Sequence, residues 1–434
     1  MTSKKKVLIV VYYWPPSGGS GVQRWTKFVK YLRDFGWEPI IYTPSNPERP
    51  ALDTSLENDI PEGIEVIQRT IWEPYSLYKK FVGINKEEQL GSGLMISGKE
   101  NSTLQKFSIW MRGNLFVPDA RRFWIQPSIK YLTSYLLENP VDAIVSTGPP
   151  HSLHLIGLGL SKNTHIPWLA DFRDPWTNID FFEELKLSSP VKKKHHQLEK
   201  KVLQCAQKIV VVSPTMKKEF SEITDTSISV IPNGFDETDF PELTYQKSLK
   251  FNLTHVGMLT ATRNPENLWK ALSELRNEIS DFKMNFKLHL VGKIDASIQY
   301  EIKKNKIENL IEVSDYVPHS EVVKIQQNSE ALLLIVNNTP NANLILTGKL
   351  FEYLAARRPI ICISPLKGDV SEVLADSGSG TVILYNEKNS LKNEIMRLYN
   401  LWMEGKNDNL NTSNSQYSRK NLTEKLTQEL NSML

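Results

Sequence analysis

The chain has 434 residues, 40% of them hydrophobic and 23% charged, with a formal net charge of +3. That length accommodates two domains, and the composition is that of a folded globular protein rather than a disordered one. So small a net charge gives no ground for a nucleic-acid partner.

The N-terminus, MTSKKKVLIVVYYWPP, opens basic and turns apolar, as a signal peptide would. The run is nevertheless β-branched and aromatic, and it ends on two prolines without a small-residue cleavage site. KVLIVVY (6–12) therefore reads as a buried strand, and Val22, Trp25, Val29 and Leu32 follow it at helical spacing. PIIYTP (39–44), IEVIQRT (64–70), DAIVSTG (142–148), IPWLAD (166–171) and KIVVVSP (208–214) continue the strand series. The polar, Gly/Ser-rich stretch 84–105 is expected to be a mobile loop. A polar stretch, 237–247, then reads as a linker, and the alternation restarts. LKFNLTHVG (249–257), FKLHLVG (286–292), EALLLIV (330–336) and PIICIS (359–364) are strand candidates, and PENLWKALSELRNEI (265–279) is one of the helices between them. The last segment, YSRKNLTEKLTQELNSML (417–434), sets Leu422, Leu426, Leu430 and Met433 on one helical stripe.

This alternation is the signature of parallel sheets covered on both faces. The expected fold class is α/β: two doubly wound sheets in tandem, over 1–236 and 248–415, with a final helix in 416–434. Cys205 and Cys362 lie far apart in apolar runs and read as small core residues in a reducing cytoplasm. No run of ~18 apolar residues suggests a membrane-spanning helix. Asn-x-Ser/Thr triplets such as those at Asn101, Asn252, Asn411 and Asn421 then carry no meaning, since glycosylation needs secretion.

Open parallel sheets bind ligands at the carboxyl ends of their strands. Gly18 and Gly19 stand at such an end, just before a helix N-terminus, where backbone N–H groups can approach an anion. A tight turn without a ligand is the alternative. The pattern is not G-x-G-x-x-G, and no acidic residue ends the second strand, which disfavours a dinucleotide dehydrogenase. DAIVSTG is followed by PPHSLH, with His151 and His154; IPWLA is followed by DFRDPW, with Asp171, Arg173 and Asp174. Polar residues placed directly after apolar strands suggest a ligand or a tight ion pair. In the second half, Arg263 just precedes a helix, and LTGKLFEYLAARRPII puts Lys349 in the first turn of another, with Glu352 three residues on. A cation in the first turn is unfavourable to the helix dipole unless an anion is also present. A diphosphate would satisfy Arg263, Lys349 and the helix N-terminus together, and Glu352 would accept from sugar hydroxyls. The alternative is a solvated Lys349–Glu352 pair.

These segments resemble the GT-B glycosyltransferases, specifically the retaining, nucleotide-sugar-using family 4 group. ISVIPNGFD (228–236) is similar to the group's IPNG(V/F)D segment, VGMLTATRNPENLWKAL to its GRL…KG…L…A segment, and GKLFEYLAARRPII to its EAMAxGxPVV segment. The resemblance implies two Rossmann-like domains facing a cleft, and a C-terminal helix that crosses back to the first. It implies a nucleoside diphosphate sugar as donor, with Gly18, Gly19, Arg263 and Lys349 at its phosphates and Glu352 and Val317 at its nucleotide. His151, Asp171, Arg173 and Asp174 become the catalytic candidates, His151 at the donor sugar and the two aspartates at acceptor hydroxyls. Two positions depart from the family: Met258 replaces the arginine of GRL, and Leu344 replaces the first glutamate of its E-x7-E pair.

No DxD-like motif is present, so neither a metal nor another cofactor is expected. The expected acceptor is a saccharide or a lipid-linked one, and the expected place of action is the cytoplasm, either free or peripheral at the inner face of the membrane. Two readings stand for 107–127 (FSIWMRGNLFVPDARRFWIQP). Trp110, Phe116, Phe123 and Trp124 with Arg112, Arg121 and Arg122 suit a membrane interface, or they form a partly buried helix pair with snorkelling arginines. KKKHH (192–196) reads as a solvated helix face. Two rivals to transfer are a nucleotide-sugar epimerase on the same fold and a non-catalytic relative, the latter supported by Met258 and Leu344.

Overall fold

The computed structural model describes residues 4–49, 52–73, 110–111, 113–179, 182, 185–241, 247–315, 317–406 and 414–434. All of 74–109, which contains the stretch 84–105, lies outside them, as do Arg112 and linker residues 242–246. The chain forms two units, Met1–Pro232 with Arg419–Leu434, and Asn233–Ser418.

In the first unit, seven parallel strands run β1 Lys5–Val10, β2 Trp37–Pro44, β3 Glu65–Arg69, β4 Ala143–Gly148, β5 Trp168–Phe172, β6 Lys208–Val211 and β7 Ile228–Val230. Their order in the sheet is β3-β2-β1-β4-β5-β6-β7, so the order reverses between β1 and β4. Alternation along β1 explains the layers. Val7 and Ile9 face the helix Ser20–Leu32, through Trp25, Phe28 and Val29, and the C-terminal helix Arg419–Asn431, through Leu422, Leu426 and Leu430. Leu8 and Val10 face the opposite way, toward Trp124, Leu132, Leu153 and Ile156 on the helices Arg122–Glu138 and Ser152–Thr164. The amphipathic stripe read at the C-terminus is thus part of the first unit's core.

The second unit has six parallel strands: β8 Phe251–Val256, β9 Phe286–Val291, β10 Ile311–Ser314, β11 Ala331–Ile335, β12 Ile360–Ile363 and β13 Gly380–Ile383. They lie in the order β10-β9-β8-β11-β12-β13, with the reversal between β8 and β11. Leu333 and Ile335 pack on Leu268, Trp269 and Leu272 of the helix Glu266–Glu278. Leu332 and Leu334 pack on Leu350, Phe351 and Leu354 of the helix Gly348–Ala356.

Several expectations need correction. The first unit ends at Pro232 rather than 236, and the return falls at 418–419 rather than 415–416. Glu237–Asp239 is a 3-10 turn capped by Asp236, not free linker. Cys205 is exposed near the end of its helix, and only Cys362 is buried. Within KKKHH, Lys193, Lys194 and His196 face solvent, but His195 is buried.

Candidate functional site

In the second unit, the strands on either side of the reversal end in an unusual charge arrangement. Gly257 follows β8 with φ +111°, a backbone only glycine adopts readily. A Cβ there would overlap the Lys349 ammonium, so the lysine stem lies along the glycine face. Lys349 is in the first turn of the helix Gly348–Ala356, whose N-cap Thr347 accepts from the Lys349 N–H at 3.4 Å. No acid occupies that first turn. The lysine's pKa is pushed down to about 8, chiefly by burial and then by the Arg263 guanidinium, with Glu352 opposing. No carboxylate or carbonyl among the described residues hydrogen-bonds its ammonium. Arg263 ends the turn Ala261–Arg263; it donates through Nε to Asn337 Oδ1 and through Nη1 to the Met258 carbonyl at 3.3 Å. His255, within β8 two residues before Gly257, donates Nδ1–H to the Leu333 carbonyl at 2.9 Å. Burial and then Lys349 push its pKa down to about 3, so it is neutral.

Two cations and a helix N-terminus therefore converge where a strand order reverses, and the first turn of that helix holds no acid. Such a set favours a bound phosphate. Glu352, on the same helix as Lys349, accepts from Gln326 Nε2 at 3.3 Å, and His319 Nε2 lies 3.4 Å from its other oxygen. It is held by these side chains, not by an intrahelical bond to Lys349. Val317 is half-buried against the cluster that contains Leu350. Met258 is 56% exposed and serves Arg263 through its carbonyl alone. Leu344 closes the turn Ala342–Leu344.

In the first unit, Gly19 (φ +106°) caps the helix Ser20–Leu32 without a side-chain cap and with no acid in its first turn. Gly18 is buried beside it. The DFRD cluster is built differently from the expectation. Arg173 Nη1 donates to the Gly21 carbonyl at 2.7 Å, Nε to Gly148 at 3.3 Å, and Nη2 to Pro149. It staples three strand-end loops together, and a Cβ on Gly21 would lie 2.6 Å from Nη1. Its donors are thus used on carbonyls rather than offered to a substrate. Asp171 is 1% exposed and accepts from Arg24 Nη2, Trp25 Nε1 and Thr147 Oγ1, each at 2.8 Å. Burial pushes its carboxyl up, but Arg24 and these hydrogen bonds outweigh that and hold it below the ordinary range. The assignment of Asp171 to acceptor hydroxyls is therefore corrected: it is the interior partner of Arg24, which also donates to the Ile231 and Pro232 carbonyls. Asp174 is exposed.

His151 caps the helix Ser152–Thr164. Its ring stacks flat on Trp176, with centroids 4.6 Å apart and planes at 4°. Trp176 Nε1 donates to His195 Nδ1 at 3.1 Å. Burial, then His154, His195 and Arg173, keep the His151 pKa well below its ordinary value, so the ring is neutral.

The aromatic stretch at 107–127 is split. Trp124 is 2% exposed and stacks on Tyr42 at 5.2 Å. Arg121 pairs with the buried Glu73 at 2.8 Å, and Tyr12 donates to the same carboxylate at 2.9 Å. These two residues do not face a membrane. Trp110 and Phe123 are exposed, together with Leu115 and Trp72, and Trp72 meets Phe123 edge-on at 4.7 Å. Residues 107–109 lie outside the described residues. None of the described helices is long and apolar enough to cross a membrane.

Arg24, Trp176, His195 and Asn337 were not read from the sequence as contributors. Arg24 was the most detectable, since it interrupts the apolar face of the helix that carries Val22, Trp25 and Val29.

Two family descriptions match the chain: Glycosyltransferase Family 4 over residues 100–239 and Glycosyl transferases group 1 over residues 246–420. No curated protein matches it. Among solved structures, it is similar to a sucrose-phosphate synthase from Thermosynechococcus elongatus (12% identity, 99% of each chain covered, TM-score 0.62). It is also similar to a glycosyltransferase from Rickettsia africae (17%, 99% and 98%, TM-score 0.61). A third is a putative UDP-N-acetylglucosamine 2-epimerase from Listeria monocytogenes (10%, 99% and 96%, TM-score 0.55). At these identities the likeness is one of fold.

Proposed function

The chain belongs to the group 1 glycosyltransferases of GT-B fold, and from that premise we propose that it moves a sugar from a nucleoside diphosphate sugar to a saccharide or lipid-linked acceptor, with retention, in glycan assembly. The observation that carries the donor class is the Lys349 ammonium, half-buried beside Arg263 at a helix N-terminus with no hydrogen-bond acceptor among the described residues. In transfer, the bond from the anomeric carbon to the diphosphate oxygen breaks and negative charge collects on the leaving group. Lys349, Arg263 and the first-turn amides of Gly348–Ala356 stabilise that charge, the electrostatic contribution on which such catalysis most depends. The acceptor oxygen forms the new bond on the same face, and its proton passes to a leaving phosphate oxygen. No protein nucleophile is needed, unlike in retaining glycosidases. Glu352 accepts from ribose hydroxyls, with Val317 beside the base. The neutral His151 bonds a sugar hydroxyl, Asp174 faces the acceptor, and the Gly18–Gly19 turn presents backbone amides.

The exposed Trp72, Trp110, Leu115 and Phe123, with Arg122 over the Phe123 ring at 5.6 Å, support peripheral contact with an anionic bilayer at the inner face of the membrane, where a lipid-linked acceptor resides.

The test is a panel of nucleoside diphosphate sugars with saccharide and lipid-linked acceptors, product stereochemistry being read by NMR. Transfer with the donor's anomeric configuration kept is the expected result. Donor conversion to an epimer without acceptor, or donor binding without transfer to any acceptor, would overturn the reading.

A further inference from the structure

Beside the candidate sugar contact His151 lies a second imidazole that the proposed chemistry does not use. His154 is fully buried. Its Nδ1 is 3.0 Å from Ser146 Oγ, and Ser146 Oγ accepts from Trp168 Nε1 at 2.9 Å. The direction of this chain follows from what each group is able to do. An indole N–H only donates, so Trp168 fixes Ser146 as its acceptor. The Ser146 hydroxyl is itself fully buried, and among the described residues His154 Nδ1 is the one acceptor for its proton. If His154 donated instead, that hydroxyl hydrogen would be buried without a partner, at a cost of ~1–3 kcal/mol. Ser146 therefore donates to His154 Nδ1, and the neutral His154, its pKa pushed down to about 3 by burial, carries its proton on Nε2.

Among the described residues that Nε2–H has no partner, and neither has the enclosed His151 Nδ1. Both nitrogens face Gly148: a Cβ on this glycine would lie 2.5 Å from His154 Nε2 and 3.0 Å from His151 Nδ1. The two nitrogens do not hydrogen-bond each other, but the partial positive charge of one N–H at that place disfavours a second one and so favours the form of His151 in which Nδ1 is bare. We propose that the buried chain from Trp168 through Ser146 to His154 makes His154 a positioning residue that fixes His151 as the Nε2–H tautomer. His151 then meets its ligand as a hydrogen-bond donor to a hydroxyl or phosphate oxygen, not as a proton acceptor. Trp176 sets the plane of the ring, and His154 sets which nitrogen bears the hydrogen. The ligand half of this inference rests on the glycosyl-transfer reading; the tautomer half does not.

The experiment is long-range proton–nitrogen correlation NMR on the full chain labelled with nitrogen-15 histidine. The chain has eight histidines, and the His151 and His154 signals are assigned by their loss in His151→Asn and His154→Gln. In the unsubstituted protein both rings are expected to be neutral Nε2–H forms. In Ser146→Ala, His154 becomes free to take its proton on Nδ1, and the His151 signal should shift toward a mixture of tautomers. A His151 protonated on Nδ1 in the unsubstituted protein would overturn the inference, as would a His151 signal unchanged in Ser146→Ala. Should Ser146→Ala fail to fold, the unsubstituted spectrum still decides the first point. His154→Gln, whose amide keeps an N–H at the Nε2 position, against His154→Leu, which has none, decides the second. In transfer assays, Ser146→Ala and His154→Leu should lower kcat roughly tenfold or more with donor KM held within about twofold, and His154→Gln should recover part of that loss. A failed transfer assay with the expected NMR result would refute the glycosyl-transfer reading and leave the tautomer assignment standing.

Discussion

Replacing Lys349 by methionine separates what the lysine does for a ligand from what it does for the fold. In the free protein its pKa falls from the ordinary 10.5 to about 8, which corresponds to ~3 kcal/mol at 1.36 kcal/mol per pKa unit. The folded value lies below the unfolded one, so this penalty is complete below about pH 8 and fades as the pH rises toward 10.5. Methionine keeps much of the stem that lies along Gly257 and drops the charge. Lys349→Met should therefore be more stable than the parent at pH 7 by up to ~3 kcal/mol. A unit of this size gains about 2–4 °C in Tm for each kcal/mol. The advantage should close between about pH 8 and pH 10.5. Nucleoside diphosphate affinity should move the opposite way. A charge-assisted bond to phosphate contributes roughly 1.5–3 kcal/mol, so Kd should rise about 10- to 150-fold, while the nucleoside alone binds almost unchanged. Because the ligand's charge restores the ammonium, binding near pH 8 should take up protons and give a buffer-dependent enthalpy. Scanning fluorimetry and titration calorimetry read both effects. A variant less stable than the parent at pH 7, with unchanged diphosphate affinity, would refute the reasoning.

Gly257→Ala places a methyl on the Lys349 ammonium at a φ of +111°; stability should fall by ~1–3 kcal/mol and diphosphate binding should weaken, whereas a neutral outcome in both would show that the lysine stem lies elsewhere. Glu352→Gln should weaken nucleoside binding by roughly 1–3 kcal/mol in calorimetry, and equal affinities would remove the ribose assignment. Asp171→Asn leaves Arg24 buried without its counter-charge and should cost ~3–5 kcal/mol in urea unfolding. In the parent, the depressed Asp171 pKa means that its contribution is present above the ordinary carboxylate range and is lost as pH falls through the folded value, so the two stability curves should converge in acid.

The sequence made the interior strands of both sheets readable, with the edge strand Glu65–Arg69, and left the other three edges obscure. Ten strands were marked by apolar runs or alternation. The three that were not, Ile228–Val230, Ile311–Ser314 and Gly380–Ile383, each end a sheet. With a neighbour on one side only, Glu312, Val313, Gly380 and Thr381 remain exposed, and no apolar run forms. At the sites, residue type and position after a strand located the polar clusters but not their partners. Asp171 and Arg173 stand two apart in DFRD, yet Asp171 points into the sheet's interior toward Arg24 while Arg173 reaches across loop carbonyls; a strand's alternation does not say which polar residue is enclosed. Trp124 and Arg121 were read with their outward neighbours for the same reason, their interior partners Tyr42 and Glu73 lying far off in the chain. Lys349 was legible because a lysine in a helix's first turn opposes the dipole, a local conflict visible without the fold.

The most direct measurement is a structure of the protein with a nucleoside diphosphate bound. The account requires the diphosphate oxygens within hydrogen-bonding distance of Lys349 Nζ and the Arg263 guanidinium at the N-terminus of Gly348–Ala356, with the ribose at Glu352. A nucleotide bound with its phosphates away from both cations would contradict it.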